Sequence, residues 1–209
     1  MTSDDLIAFR EGVTGRHLDL IQVLGDINPA PEDVESTEIV IDAYVEALFL
    51  RAFTAYENDL ETLFLHYVTG GLTLAGVASH TYLRANDEAH ARRITRGANK
   101  FLSWAQPQKT RTTADNYLRD GWPISSMMNA KSQDLSDCER IRNRIAHTST
   151  EAVNAFNIAQ RNMLNTERLF AITPGQFLRI RNKRLKLLHI RYYVQVLHDT
   201  LEAILSPPP

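Results

Sequence analysis

Cysteine is almost missing from this 209-residue chain: Cys138 stands alone. An intrachain disulfide and a Cys-based zinc site are thereby excluded, and a reducing compartment fits. No stretch approaches the roughly 18 apolar residues that a membrane span needs, so no spanning helix is expected. The amino terminus is acidic where a secretory signal would be basic and then apolar; no signal peptide is read there, and a cytoplasmic location is expected. A Gly-rich phosphate loop, a Ser nucleophile elbow, a His-Glu-x-x-His pair and metal-spaced carboxylates are all missing. The commonest enzyme classes therefore have no foothold, and no cofactor or metal is expected. Internal repeats and low-complexity segments are absent too.

What is there describes one soluble globular domain over residues 1–209, with 44% hydrophobic and 23% charged residues. The net charge of -2 conceals a strong asymmetry. Residues 1–61 carry 14 acidic against 3 basic groups, a net of -11, and residues 62–209 carry 11 against 20, a net of +9. Two readings stay open: the basic portion meets phosphate, or the two portions pair with each other.

Helical periodicity dominates. An acidic first helix is expected over 3–24, with Ser3 as its cap, followed by a loop over 25–36 rich in turn residues. The longest pattern runs from Thr37 to about Thr69, capped by Ser36 and ended by Gly70-Gly71. Its broad apolar stripe, from Ile41 and Tyr44 to Phe64 and Tyr67, makes it the spine of a bundle over 37–205. Residues 72–85 are ambiguous. Asn86 then caps a basic helix to about Arg96, whose Arg92, Arg93 and Arg96 either follow an RNA backbone or complement the helix dipole. Residues 103–112 read as a loop with Pro107, and 113–119 as a short helix. Trp122 packs on the core or stacks on a base, packing being favoured.

Pro174-Gly175 marks a turn. Beyond it, alternating apolar and basic residues fit a small hairpin as well as a helix. As a hairpin this segment presents Arg179, Arg181, Lys183, Arg184 and Lys186, the densest cationic cluster in the chain and a candidate RNA contact. The last helix runs from about Leu188 to Leu205.

The segment with chemical character is Arg142-Asn143-Arg144-Ile145-Ala146-His147. It ends a helix capped by Ser132 or Asp134, whose Leu135, Cys138, Ile141 and Ile145 recur at three- and four-residue steps. Cys138 falls on the apolar side, as a core thiol. With 18 Arg and 7 His in the chain, Arg–His spacing alone discriminates little. Arg84 with His90, Arg184 with His189 and Arg191 with His198 have comparable spacing. None of these three has Asn after its Arg, as Arg142 has. The next helix, Glu151 to about Leu164, is capped by Thr148 or Thr150.

Arg-Asn-x-x-x-His at the end of an amphipathic helix resembles the signature of the HEPN superfamily. The segment A-F-T-A-Y-E-N-D-L-E-T-L-F on the spine helix is similar to the aromatic-x-x-aromatic-Glu segment of bacterial conflict-system members, including the RiboL-PSP-HEPN group. The resemblance implies an all-α HEPN-like bundle that acts as a metal-independent endoribonuclease, in the setting of a toxin or an anti-phage effector. Arg142 would bind the scissile phosphate, His147 would act as acid or base, and Asn143 would orient one of them. Glu57 would support Arg142, and Arg144 would be phosphate-contacting or solvated. The active site would be composite, at a homodimer interface, with RNA as substrate and an inhibiting antitoxin protein as partner. The alternative is a catalytically inactive HEPN module that binds RNA or a partner protein. One departure bears on control: where a nucleotidyltransferase partner silences such toxins by modifying a Tyr two residues after the His, this chain has Ser149.

Overall fold

A computed structural model describes residues 1–26, 34–96, 103–166, 171–182 and 184–207. Among these residues the fold is all-α: nine α-helices and one short 3-10 turn, with only three isolated antiparallel bridges. No described helix is long and apolar enough to cross a membrane.

The spine is α2, Val34–Val68. Its inward face sets Phe49, Phe53, Leu60, Leu63, Phe64 and Tyr67 at no more than 1% exposure, each worth about 1.5–3 kcal/mol of burial. Tyr44, expected on this stripe, is 47% exposed instead. The helix stops where Gly70 takes φ +87°, a value that favours glycine, and the amides of Gly70 and Gly71 return to the carbonyls of Tyr67 and His66, each at 2.9 Å. Around α2 pack α1 (Ser3–Asp26), α3 (Glu88–Arg96), α6 (Ser132–Ala146), α8 (Pro174–Arg179) and α9 (His189–Leu205). Helix α7 (Thr150–Leu164) lies chiefly against α6.

Several boundaries differ from expectation, each for a local reason. Thr2 caps α1 in place of Ser3: its hydroxyl accepts the Asp5 amide at 3.2 Å while Asp5 accepts the Thr2 amide at 2.7 Å. Helix α2 begins at Val34, so Ser36 lies inside it. In α3 the Asp87 carboxylate receives the His90 amide at 2.7 Å, the capping role expected of Asn86.

Two prolines read as loop or turn residues start helices. Helix α4 runs Pro107–Tyr117, and α8 has Pro174 in its first turn behind a Thr173/Gln176 capping box. Proline costs a helix nothing at its first position, where the missing amide would have been unpaired. Helix α5 (Ile124–Ala130) was not anticipated, and α6 starts behind Lys131 with no side-chain cap from Ser132 or Asp134. Ser149, rather than Thr148 or Thr150, caps α7 by accepting the Ala152 amide at 3.3 Å.

Of the two readings open before α9, helix holds up to Arg179, where α8 ends, and the hairpin is reduced to one bridge, Arg181 with Leu188. Lys183 lies outside the described residues.

Candidate functional site

Helix α6 is pinned at its middle. Leu135, Cys138 and Ile141 are buried at 2%, 0% and 0% exposure, and burial, then Asp137 and Asp134, push the Cys138 thiol well above its ordinary pKa. Cys138 is thus a core residue, not a nucleophile. The last turn stays regular to its end: the His147 amide donates to the Asn143 carbonyl at 2.9 Å, and His147 itself is extended, at φ -138° and ψ 143°. The Arg144 guanidinium donates to the His147 carbonyl at 3.2 Å. Both backbone groups of His147 are therefore held, while its exposed imidazole has no partner among the described residues.

Arg142 donates from Nη1 to the Asn143 Oδ1 at 3.0 Å. Asn143 so orients the Arg142 guanidinium through its side chain and fixes His147 through its carbonyl. Glu57, half-buried on α2, lies in the field of Arg142 without hydrogen-bonding to it. Burial raises its pKa, the charge of Arg142 opposes that rise, and Glu139 adds to it. Arg142 and His147 are about 140° apart around an ideal helix, and the bond from the His147 amide to the Asn143 carbonyl keeps the last turn helical up to Ala146.

The three comparably spaced pairs have other roles. His189 is fully buried, with Nδ1 2.9 Å from the Phe177 carbonyl, and burial pushes its pKa down. His90 accepts the Asn86 amide at 3.3 Å, and Arg84 donates to the Thr69 carbonyl at 3.3 Å. His198 stacks on His17 with ring centroids 4.3 Å apart, while Arg191 donates to the Ile21 carbonyl at 3.2 Å.

The remaining basic residues divide. Arg92 is engaged by Glu61 at 2.5 Å and Glu88 at 2.8 Å, and Arg179 by Asp42 at 2.7 Å. The Arg92–Glu61 and Arg179–Asp42 pairs tie the basic portion to carboxylates of α2. Arg93, Arg184 and Lys186 are exposed, as is Arg181, which donates to the Lys186 carbonyl at 3.1 Å. Arg144 is half-buried, and the side chain of Arg96 lies outside the described residues, as does Lys183. Trp122 is half-buried.

Residue spacing gave no hint of what lies at the opposite end of α6. A cavity of about 960 Å³ opens there between α6, the end of α7, the turn after α8, and α9. Asp137, 2% exposed, lies on its wall and accepts from Arg140 at 2.6 Å, from Asn162 at 2.9 and 3.1 Å, and from Gln133 at 3.3 Å. Asp134 accepts the Tyr192 hydroxyl at 2.9 Å across 58 residues of sequence. Among the described residues no group of three His, Cys, Asp or Glu side chains could hold a metal ion.

No family model, no curated protein and no solved structure matches this chain.

Proposed function

We propose that this chain is a HEPN-type endoribonuclease whose active site is shared between two copies, and that it acts as a toxin or anti-phage effector. The carrying observation is the end of α6, where Asn143 orients Arg142 at 3.0 Å and an unengaged His147 imidazole stands exposed just beyond the last turn. Cleavage of RNA without a metal needs a base for the 2'-hydroxyl, an acid for the leaving 5'-oxygen and a cation for the phosphorane. One chain supplies one such His and one such Arg. A twofold pair supplies two of each in one cleft.

In that cleft the 2'-oxygen attacks phosphorus as one imidazole takes its proton. The P–O5' bond breaks as the other, protonated imidazole gives a proton to the 5'-oxygen, leaving a 2',3'-cyclic phosphate and a 5'-hydroxyl. The two Arg142 guanidiniums hold the non-bridging oxygens. Histidine suits both proton roles because its ordinary pKa lies near neutrality. Glu57 supports Arg142 through its field.

Ser149 occupies the position at which related toxins are modified, and its hydroxyl oxygen caps α7. An inhibiting antitoxin protein would therefore act by covering the cleft rather than by modifying this residue.

Subunit mixing tests the shared site. Arg142→Ala and His147→Ala are each expected to be inactive alone. Dissociated and reassociated with wild type, His147→Ala should inactivate the mixed pairs and lower cleavage below that of wild type diluted to the same degree, since a mixed pair holds one imidazole where the cleft needs two. Activity of a strictly monomeric wild type would contradict the shared site, and RNA binding without cleavage by any preparation would leave an inactive RNA-binding module.

A further inference from the structure

The 960 Å³ cavity at the amino-terminal end of α6 lies at the upper end of the roughly 300–1,000 Å³ range of small-molecule sites. From Asp134 to His147 the helix advances 13 residues, roughly 20 Å at 1.5 Å each, so the cavity is separate from the Arg142–His147 end.

Its polar groups differ in availability. Asp137 is saturated by Arg140, Asn162 and Gln133, which makes that wall rigid. Asp134 is engaged at Oδ1 alone, by Tyr192, and its Oδ2 has no partner among the described residues. That bond also fixes the half-buried Tyr192 ring, which packs edge-on against Tyr193 at 5.3 Å.

On another wall of the cavity Asn182 binds its described neighbours. Asn182 Oδ1 accepts the amides of Arg184 at 2.9 Å and Leu185 at 3.0 Å, and its Nδ2 contacts the Met163 sulfur at 3.3 Å. Arg181 and Arg184 line the cavity too, both exposed, and the Arg184 side chain has no partner among the described residues. One cavity thus offers a carboxylate oxygen that can only accept, an anchored aromatic ring and two exposed cations, Arg181 and Arg184.

We infer that this cavity binds one unstacked nucleotide, guanine in preference to uracil, with its base beside Tyr192 and Asp134 and its phosphate at Arg181 and Arg184. The free Asp134 Oδ2 and the remaining lone pair of Oδ1 can accept the ring N–H and the adjoining exocyclic amino group of guanine, whereas uracil offers a single ring N–H between two carbonyls. The same chemistry serves a nucleotide of the RNA strand or a free one. The strand as source rests on the ribonuclease reading above; the pocket itself does not.

Calorimetric titration of the full chain with GMP, UMP, guanosine and two hexaribonucleotides, one with a single guanine and one all uridine, tests this. Wild type should bind GMP about tenfold or more tighter than UMP, the scale of one hydrogen bond to a charged group. Asp134→Asn and Tyr192→Phe should each shrink that ratio, and Arg184→Ala should weaken GMP while leaving guanosine unchanged. The paired Asp134 and Tyr192 variants guard against a misfolded one, with melting temperatures recorded for both.

The guanine hexamer binding above GMP identifies the strand as source; GMP binding as tightly as the hexamer identifies a free effector. Equal binding of GMP and UMP by wild type, no binding of either, or a preference intact in both variants overturns the pocket. The two proposals fail separately. A chain that binds GMP through Asp134 but cuts no RNA keeps the pocket and loses the nuclease, while a chain that cuts RNA with no GMP preference loses only the pocket.

Discussion

The two ends of α6 use polar residues in opposite ways. At the amino-terminal end, Asp137 is 2% exposed and hydrogen-bonded to three side chains. At the carboxyl-terminal end, the His147 side chain is exposed with no partner among the described residues, and Arg142 is oriented by Asn143 in the field of Glu57. Losing a saturated buried carboxylate destabilises the fold, because its partners are stranded. An oriented but unsaturated Arg–His pair is costly to nobody and free to meet a ligand. The lesson is that availability, more than residue type, separates a structural polar cluster from a chemical one.

The largest expected stability effect breaks the saturated end. Asp137→Ala leaves Arg140 and Asn162 without their acceptor and should cost about 3 kcal/mol, roughly a 10 °C fall in melting temperature for a chain of this size. A melting temperature unchanged by that substitution would remove the structural side of the comparison.

The next effect concerns two buried histidines, His66 and His189, and the half-buried His17. His17, His66 and His189 all have folded pKa values below the ordinary 6.5, burial being the main cause in each. The unfolded chain therefore takes up their protons first as pH falls, and stability is lost from about pH 6.5 downward. Glu57, Asp59 and Asp137 have raised pKa values, chiefly from burial, and act oppositely, costing stability as pH rises from about 4. Denaturant midpoints measured from pH 7.5 to 5.5 should fall, and less steeply in His17→Gln. A wild-type midpoint that rises over that interval would contradict the assignment.

The smallest effect sharpens the chemical end. Glu57→Gln removes a carboxylate from the field of Arg142 and should lower the cleavage rate by about three- to tenfold, within about 1.4 kcal/mol, while the melting temperature stays within about 2 °C. A rate equal to wild type would mean that Glu57 serves the fold alone.

Much of this architecture is legible in the sequence. The all-α class, the spine ending at Gly70-Gly71 and the buried side of α6 follow from apolar periodicity, since a helix repeats within a few residues. Arg142 beside Asn143 is legible for the same reason: the contact is between neighbours. Helices α4 and α8 were hidden by prolines at their starts, where proline reads as a breaker but is harmless.

The engagement of Arg92 by Glu61 and of Arg179 by Asp42 bridges 31 and 137 residues, and a charge count records only that both signs are present. Asp134 with Tyr192 is hidden in the same way, because long-range pairing leaves no periodic trace. Local order wrote the candidate catalytic end into the sequence, and tertiary packing alone made the cavity.

The account turns on the open end of α6 being chemical. RNA cleavage in EDTA by wild type, Arg142→Ala and His147→Ala, with a melting temperature for each, tests it most directly. The account predicts 2',3'-cyclic phosphate ends from wild type, a loss of at least about a hundredfold in each variant, and melting temperatures within about 2 °C of one another, as for surface substitutions. Cleavage undiminished in both variants, or variants that lose activity only by melting much lower, would contradict it.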